Sequence, residues 1–557
     1  MPMVLGARLR HHPIVPNGLP FLYVSDTLSK PPVAPPPEDS AYLQGMVREL
    51  QDTISRLEGT VRYITARYEK LAHEMAVLKR SAYGKKSERL GGHLVGEQAK
   101  LFEESVQEDI AGVELELAQL DQQRKELSTT APSTAQSAPP AKSAPKRTPL
   151  PAHLPRVQIY HEPRNTTCKC GCALRRMGEE ITEKLDYAPG DFTVEQHIRG
   201  RWVCDECETF EQETMPAYVI DKGSATPGLL AQVLVNKYAD HLPHYRQEAI
   251  FSRAGLGISR STLSMWTGQC GVALQPLADA MRELMIKQPV LHGDETPVPM
   301  LSPGKGSTHQ TYFWVWGSTG FDEPDKPKLL VYEFAMGRAG KYASEFLQDF
   351  KGTLVCDDYQ GYKHLFTEQY GITEAGCMAH ARRKFFDLNK SAQSHIAHEA
   401  LRIIGQLYGI EAEIKHLDAR QRQHERERRS KPVCDTLRQW LIDHLAKVPP
   451  GTKIANAIEY SLKRWAALTH FLEDGRVPID NNHIENRIRP VAVGRGNWMF
   501  IGSERAGTRA AAVISLIQSA KLNGHDPYLY MKDVLTRLPT TKQKDIELLL
   551  PHRWQPA

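Results

Sequence analysis

An apolar run meets two acidic residues at Pro289-Val290-Leu291-His292-Gly293-Asp294-Glu295-Thr296, and the pattern returns at Gly352-Thr353-Leu354-Val355-Cys356-Asp357-Asp358-Tyr359. Between these two strands the sequence predicts two more, at 311–317 and 328–334, joined by short loops as in an antiparallel meander. It also predicts a helix at 342–350, and a strand that follows a crossover helix usually lies parallel to its neighbour in the sheet. We therefore expect the acid-bearing ends of the first and fourth strands to be adjacent.

Two acids compete at each strand end. Asp294 is preferred over Glu295, and Asp357 over Asp358, because each is the first acid after its apolar strand; Glu295 and Asp358 remain alternatives. Adjacent carboxylates raise each other's pKa, and divalent cations between them remove that cost. Two Mg²⁺ ions about 4 Å apart can clamp the attacking and leaving oxygens of a phosphodiester. The pair therefore predicts a magnesium site for phosphoryl transfer.

The third carboxylate predicted for this site is Glu485, in the segment 480–490. Asn481 or Asn482 can cap a helix there, and Pro490 is predicted to end it. A strand-end or helix-cap role would explain any one of the three acids alone. All three in this chain order favour an RNase H-like nucleotidyl-transfer domain.

Five of the nine cysteines lie close together: Cys168, Cys170, Cys172, Cys204 and Cys207. Two turns with closely spaced thiolates can close a tetrahedral structural Zn²⁺ site on a short β-ribbon. The first turn offers three thiols for two places, so the choice among Cys168, Cys170 and Cys172 stays open. The alternative is a set of reduced cysteines without metal.

Upstream of this cluster the sequence predicts a disordered Pro-rich leader at 1–38, a coiled coil with further helix at 39–127, and a Ser/Ala/Pro-rich linker at 128–152. Apolar residues alternate four and three apart from Leu43 to Leu78, which is about five heptads. Self-association through this seam is favoured over packing of the helix on its own chain.

Residues 227–282 have a helical pattern that contains a glycine-bearing turn and a second helix capped by Ser259. This arrangement is typical of a helix-turn-helix, in which Arg260, Ser261 and Thr262 would contact DNA. An ordinary αα-hairpin explains the pattern equally well.

Other residues are predicted to bind DNA because cationic forks near glycines suit phosphates and an aromatic ring can stack on an unpaired base. These residues are Arg382, Arg383, Arg487, Arg489, Arg495, Arg505, Arg509 and Trp498. Phe500 is assigned to the core, and Trp498 could also belong there. The basic run at 420–431 is predicted to be a solvated helix face, with phosphate contact as the alternative.

Composition sets the outer limits. A chain of 557 residues predicts three or four domains, and 41% hydrophobic with 24% charged residues is typical of globular proteins. The net charge of +4 is too small to indicate nucleic-acid binding, so any basic surface must be local. No run approaches the roughly 20 apolar residues of a membrane helix, which excludes a membrane partner and favours the cytoplasm.

A family resemblance is carried by the cysteine cluster and by residues 83–89, 185–187, 292–297, 357–362, 376–385, 480–498 and 523–528. Through these stretches the chain resembles the DDE transposases of bacterial insertion sequences, specifically the large transposase (transposase C) of the insertion sequence sixty-six family. The match runs from about residue 40 to about residue 540 in the family's order.

The resemblance implies a multidomain α+β protein. A zinc-binding domain at 153–222 and a helical, helix-turn-helix-like domain at 223–287 would precede an RNase H-like α/β core. The core would occupy 288–387 and 479–540, with an all-helical insertion at 388–478 and a tail at 541–557.

The resemblance also implies that Asp294, Asp357 and Glu485 bind two Mg²⁺ ions, cleave the ends of the element and join them to target DNA. The expected partners are double-stranded DNA at the element's ends and target, a second copy bound through the coiled coil, and small accessory proteins of the same element. The expected location is the bacterial cytoplasm, on the nucleoid when DNA is bound. The alternative is a non-catalytic zinc and helix-turn-helix regulator or a decayed transposase.

Overall fold

The computed structural model describes residues 40–83, 97–128 and 150–556, apart from 151, 153, 164, 189–190, 222, 303–306, 319–320, 322–325, 393 and 499. The predicted leader and most of the predicted linker lie outside these residues. Within them, no helix is long and apolar enough to cross a membrane.

Two long helices open the described chain, α1 (Ser40–Tyr83) and α2 (Glu97–Ser128). The second half of the predicted heptad seam is buried against α2 of the same chain, where Ile64 and Leu71 pack with Ile110 and Val113. The first half is exposed, with Val47, Leu50, Ile54, Leu57 and Val61 at 41–57% of their full accessibility. Packing on its own chain, the less favoured prediction, therefore holds for the second half of the seam.

The cysteine-rich region is a four-stranded sheet of β1 (Arg156–His161), β2 (Arg175–Ala188), β3 (Asp191–Val203) and β4 (Phe210–Gln212). β3 pairs antiparallel with β2 and β4 and parallel with β1. Alternating apolar residues of β3, such as Val194 and Ile198, face inward and are buried. The sheet holds both cysteine turns at one end.

Three helices follow: α3 (Pro227–Tyr238), α4 (His244–Arg253) and α5 (Arg260–Met285). The Ser259 side chain accepts from the Thr262 N–H, which confirms the predicted cap of α5. At Gly268 an added Cβ would lie 2.2 Å from the Glu108 carbonyl oxygen, so only glycine lets α2 approach α5 this closely. The helical region therefore packs against α2 through α5, and the start of α5 stays exposed.

The second sheet has the order β7-β6-β5-β8-β9. Its strands are β5 (Val290–Leu301), β6 (Thr308–Ser318), β7 (Leu330–Ala335), β8 (Gly352–Cys356) and β9 (Ile372–Gly376), and the short helix α6 (Gly340–Phe346) precedes β8. β5 pairs antiparallel with β6 and parallel with β8, as predicted. One expectation is wrong: Asp294 does not end its strand, because β6 pairs with β5 as far as Leu301.

Residues 378–469 contain six α-helices, and their buried apolar residues form one cluster with Val290, Val355 and Ala375 of β5, β8 and β9. The helices are α7 (Met378–Ala392), α8 (His395–Ile414), α9 (Ala419–Glu425), α10 (Lys431–Leu445), α11 (Lys453–Lys463) and α12 (Trp465–Thr469). Both predictions for the basic run fail at Arg422 and Arg426, which are buried. Arg426 pairs with Glu411 and donates to the Phe471 and Val477 carbonyls, so its charge holds the helices together.

The chain ends in α13 (Asn482–Trp498), α14 (Glu504–Leu522) and α15 (Pro527–Arg537). Pro490 lies inside α13 and does not end it. The predicted tail is also wrong, because Ile546, Leu549 and Trp554 are buried in the main core. The apolar residues of the last segment are therefore part of the fold.

Candidate functional site

Three elements bring the predicted acids to one place. Asp294 lies on β5, and Asp357 directly follows β8. Glu485 is in the first turn of α13, which packs against β5. Burial raises the pKa of Asp294 to about 8, helped by the negative charges of Glu295, Asp357 and Glu485. Because these charges act through space, the shift means that the acids share one electrostatic environment.

The acids next to the preferred ones are already engaged. Glu295 is buried, pairs with Arg338, and accepts from the Tyr362 hydroxyl at 3.0 Å. Asp358 forms ion pairs with Lys363 at 2.8 Å and with Arg464 at 3.0 Å. The geometry therefore favours the first acid of each pair as a metal ligand.

Asp294 and Asp357 each accept one backbone N–H. The Glu295 N–H donates to Asp294 Oδ1 at 2.8 Å, and the Tyr359 N–H donates to Asp357 Oδ1 at 2.9 Å. These bonds orient the carboxyl groups and use one oxygen of each. Carboxylate oxygens are the ligands that Mg²⁺ prefers, so the residues present suit that ion.

Glu485 lies beside two residues of α7. His380 Nδ1 is 3.5 Å from Glu485 Oε1, and Arg383 Nη2 is 3.5 Å from Oε2. In the described residues the ligand atoms of Cys377, His380 and Glu485 lie within 4.8 Å of one another, whereas the three acids do not form such a set. Two ions about 4 Å apart do not require all three acids on one ion.

A cleft of about 530 Å³ opens beside Asp357. Its walls include Tyr359, His380, Arg383 and Lys384. Three of these side chains are basic groups that can meet a phosphodiester next to the acids.

The four thiols of Cys168, Cys170, Cys204 and Cys207 lie within 4.8 Å of one another. Their Sγ–Sγ distances of 3.0, 3.6 and 3.7 Å compare with about 3.8 Å along the edge of a Zn–S tetrahedron. Hydrogen bonds with Cys168 and Thr209 lower the pKa of Cys207 to about 6, whereas burial and hydrogen bonds with Cys207 and Cys170 raise the pKa of Cys204 to about 11, so Cys207 ionises first in the metal-free cluster. These four residues can hold a structural zinc ion.

Cys172 is not in this set. Its carbonyl accepts from the Cys168 N–H at 2.8 Å, which closes the first turn. Gly171 within the turn has φ +92°, a conformation that favours glycine. The geometry thus selects two of the three competing cysteines, a choice that spacing left open.

The predicted DNA-binding residues fall into two groups. Ser261, Arg382, Arg383 and Arg489 are exposed, and Arg260, Thr262 and Arg487 are partly exposed. Arg382 and Arg383 lie on α7 near Glu485, and Arg487 and Arg489 follow it on α13. The helix-turn-helix residues are at the start of α5, in a separate part of the chain.

The second group is engaged within the protein. Arg495 donates to the Pro297 carbonyl at 2.6 Å and so ties α13 to β5. Trp498 is 9% exposed and packs in the core, as does Phe500. Arg505 pairs with Glu74 and Glu116, and Arg509, which is 6% exposed, pairs with Asp109.

Trp498, Arg505 and Arg509 are therefore not placed to touch DNA in this structure. The partners of Arg505 and Arg509 lie on α1 and α2, hundreds of residues away in the chain, and no local pattern marks them. The sequence predicted Asn481 only as a candidate helix cap, and its contacts with β5 were not predicted. Its side chain does not cap α13 but turns toward β5.

Comparisons with known proteins agree with this organisation. A family model described as "Transposase IS66 family" matches residues 222–509, and "IS66 C-terminal element" matches 515–552. "Zinc-finger binding domain of transposase IS66" matches 165–208, and "Transposase C of IS166 homeodomain" matches 70–159. These matches define the class as transposase-family proteins with a zinc-finger segment.

Relatives from Sinorhizobium fredii (strain NBRC 101917 / NGR234) extend the match. The chain is 33% identical to "Uncharacterized protein y4qI" over 554 residues, which covers 94% of this chain and 99% of that relative. It is 38% identical to "Uncharacterized protein y4jD" over 418 residues, covering 73% and 81% respectively. The chain belongs to the IS66 family of transposases, which confirms the resemblance.

Proposed function

We propose that this protein is a DNA transposase that cleaves the ends of its insertion sequence and joins them to target DNA. The observation that carries the proposal is the placement of Asp294 on β5, Asp357 after β8 and Glu485 on α13, near enough that Asp357 and Glu485 add to the effect of burial and of Glu295 in raising the Asp294 pKa. Divalent cations that bind between the carboxylates would remove this repulsion and stabilise their ionised form. The three acids would hold two Mg²⁺ ions.

The proposed core has an RNase H-like fold. Three antiparallel strands followed by two parallel ones, in the order β7-β6-β5-β8-β9, support this assignment. The helices α8 to α12, within residues 388–478, would be an insertion in this core. Arg383 and Lys384, on α7 just before it, line the cleft beside Asp357.

Bound Mg²⁺ would polarise the scissile phosphodiester and stabilise the attacking and leaving oxygens in both cleavage and strand transfer. The protein's own side chains would do the rest. Asp294 must release its carboxyl proton before it can act as a ligand. Arg383, whose side chain is 57% exposed beside Glu485, would orient a non-bridging phosphate oxygen.

The proposed DNA surface combines the start of α5 with the arginines near the acids. It includes Arg260, Ser261, Thr262, Arg382, Arg383, Arg487 and Arg489. Zinc at the four-thiol cluster would stabilise the β-ribbon without taking part in chemistry, because four protein ligands leave no open position.

A second copy of the chain would bind along the exposed first half of α1. Its five apolar residues continue the heptad seam beyond the reach of α2. A dimer through this stripe would hold two element ends in one complex.

The decisive assay uses purified protein, Mg²⁺ and labelled element ends, and detects nicking and joining. Asp294→Asn, Asp357→Asn and Glu485→Gln should each lower both reactions by about 10³-fold or more, because each removes a metal ligand. Asp358→Asn is the matched control and should stay within about tenfold of wild type, since Asp358 is held by Lys363 and Arg464. Full activity in well-folded ligand variants would refute the proposal, and end binding without nicking would identify a non-catalytic regulator.

A further inference from the structure

Asn481 is a fully buried amide at the junction of three elements. Its Oδ1 is 2.7 Å from His292 Nδ1, and its Nδ2 donates to the Gly293 carbonyl at 3.0 Å. Its backbone N–H donates to Cys377 Sγ at 3.2 Å. One residue therefore connects β5, the turn before α7 and the start of α13.

The bonds fix the protonation of the partner ring. Because Asn481 Nδ2 donates to a carbonyl, its Oδ1 must accept, and His292 must carry its proton on Nδ1. The amide and the imidazole thus have one defined arrangement.

Each of these bonds lies next to a proposed metal ligand. Gly293 immediately precedes Asp294, and the Asn481 carbonyl accepts the Glu485 N–H at 3.2 Å. Cys377 precedes α7, which carries His380 and Arg383 beside Glu485. Asn481 therefore touches the backbone on both sides of the site.

We propose that Asn481 is the positioning residue that sets the separation of Asp294 and Glu485 for metal binding. This inference rests on the proposed function and goes beyond the identity of the ligands. Asp294 is on a strand and Glu485 is on a helix 191 positions later in the chain. The Asn481 side chain joins the two elements at the level of the acids.

Removing the Asn481 amide should make the separation of Asp294 and Glu485 more variable. Asn481→Ala deletes two buried hydrogen bonds and leaves His292 Nδ1 and the Gly293 carbonyl without these partners. Outer-shell groups that orient ligands typically contribute 10–100-fold to metal affinity or activity. We expect the dissociation constant for Mn²⁺ at the acids to rise by about that factor.

The experiment measures Mn²⁺ binding to the full-length, DNA-free protein by electron paramagnetic resonance, together with cleavage as a function of Mn²⁺ concentration. Asn482→Ala is the matched control, because Asn482 is the exposed neighbour and its side chain bonds only to Asp480 among the described contacts. Asn481→Ala should weaken Mn²⁺ binding about 10–100-fold, and saturating Mn²⁺ should restore most of its cleavage rate. Asn482→Ala should stay within about twofold of wild type.

A pair of variants at His292 covers the case in which Asn481→Ala does not fold. His292→Asn keeps a donor at the position of Nδ1 and should retain Mn²⁺ affinity better than His292→Leu, which has none. Unchanged Mn²⁺ affinity in folded Asn481→Ala, or equal affinities in the two His292 variants, would overturn the inference and leave the transposase proposal standing. If Mn²⁺ binding to wild type does not depend on Asp294, Asp357 and Glu485, the proposed function fails, and this inference fails with it.

Discussion

Metal binding should be linked to the release of one proton from Asp294. The pKa of this carboxyl is raised to about 8 in the metal-free protein, first by burial and then by neighbouring acids. At pH 7 about one molecule in eleven has Asp294 ionised, at pH 8 about half, and at pH 9 about ten in eleven. The apparent affinity for Mn²⁺ should therefore rise about fivefold from pH 7 to pH 8 and less than twofold from pH 8 to pH 9.

Calorimetry in buffers of different ionisation enthalpy counts the protons directly. Close to one proton should leave per binding event at pH 7 and about a tenth of one at pH 9. Asp294→Asn should bind more weakly and lose this pH dependence, whereas Asp358→Asn should keep it. An affinity for Mn²⁺ that is flat between pH 7 and pH 9 in wild type would refute the reasoning.

The same shift predicts the pH dependence of stability without metal. A carboxyl whose folded pKa lies above its unfolded value of 3.8 contributes stability that is full below 3.8 and is lost as pH rises through about 8. The part of this loss that Asp294 contributes should be absent in Asp294→Asn, whereas Glu333, whose pKa burial raises to about 7, should contribute a loss of the same sign in both proteins. Thermal melts of the two proteins at pH 6 and pH 9, each with a chelator, measure the difference.

Three other predictions test the remaining contacts. Arg509→Ala leaves Asp109 buried without its partner and should lower the free energy of unfolding by about 3–5 kcal/mol. The control Arg489→Ala, at an exposed arginine, should change it by at most about 0.5 kcal/mol. Urea unfolding measures both values, and equal effects would contradict the pairing of Arg509 with Asp109. Cys204→Ser should lose bound zinc and Cys172→Ser should keep it, as measured by metal analysis; loss in both would mean that the ligand set is wrong. Leu57→Glu should reduce self-association, measured as the mass of the assembly by light scattering, because it puts a charge in the heptad seam. The melting temperature should change little, since Leu57 is 41% exposed in the single chain. An unchanged mass would count against the α1 interface.

Local pattern was enough to predict the strands and the cysteine cluster. Apolar runs ending near acids predicted β5 and β8, because a strand depends on residues close in sequence. Their parallel pairing followed from the crossover helix between them, since such connections usually return the chain parallel to the first strand. Closely spaced cysteines likewise predicted a thiol cluster. The spacing of acids along the chain was also sufficient to nominate Asp294, Asp357 and Glu485.

Only the tertiary structure decided which candidate site residues are held in ion pairs or hydrogen bonds within the protein and so are not free for the site. Arg338 and Tyr362 engage Glu295, and Asp109 engages Arg509, through contacts that no sequence period marks. Whether a charged side chain is buried or exposed depends on which partners the fold brings within about 4 Å of it, since burying a charge without a partner costs several kcal/mol. Asn481 illustrates the same limit. Its position before a helix predicted a cap, but its side chain bonds to β5, because packing placed His292 and Gly293 within reach.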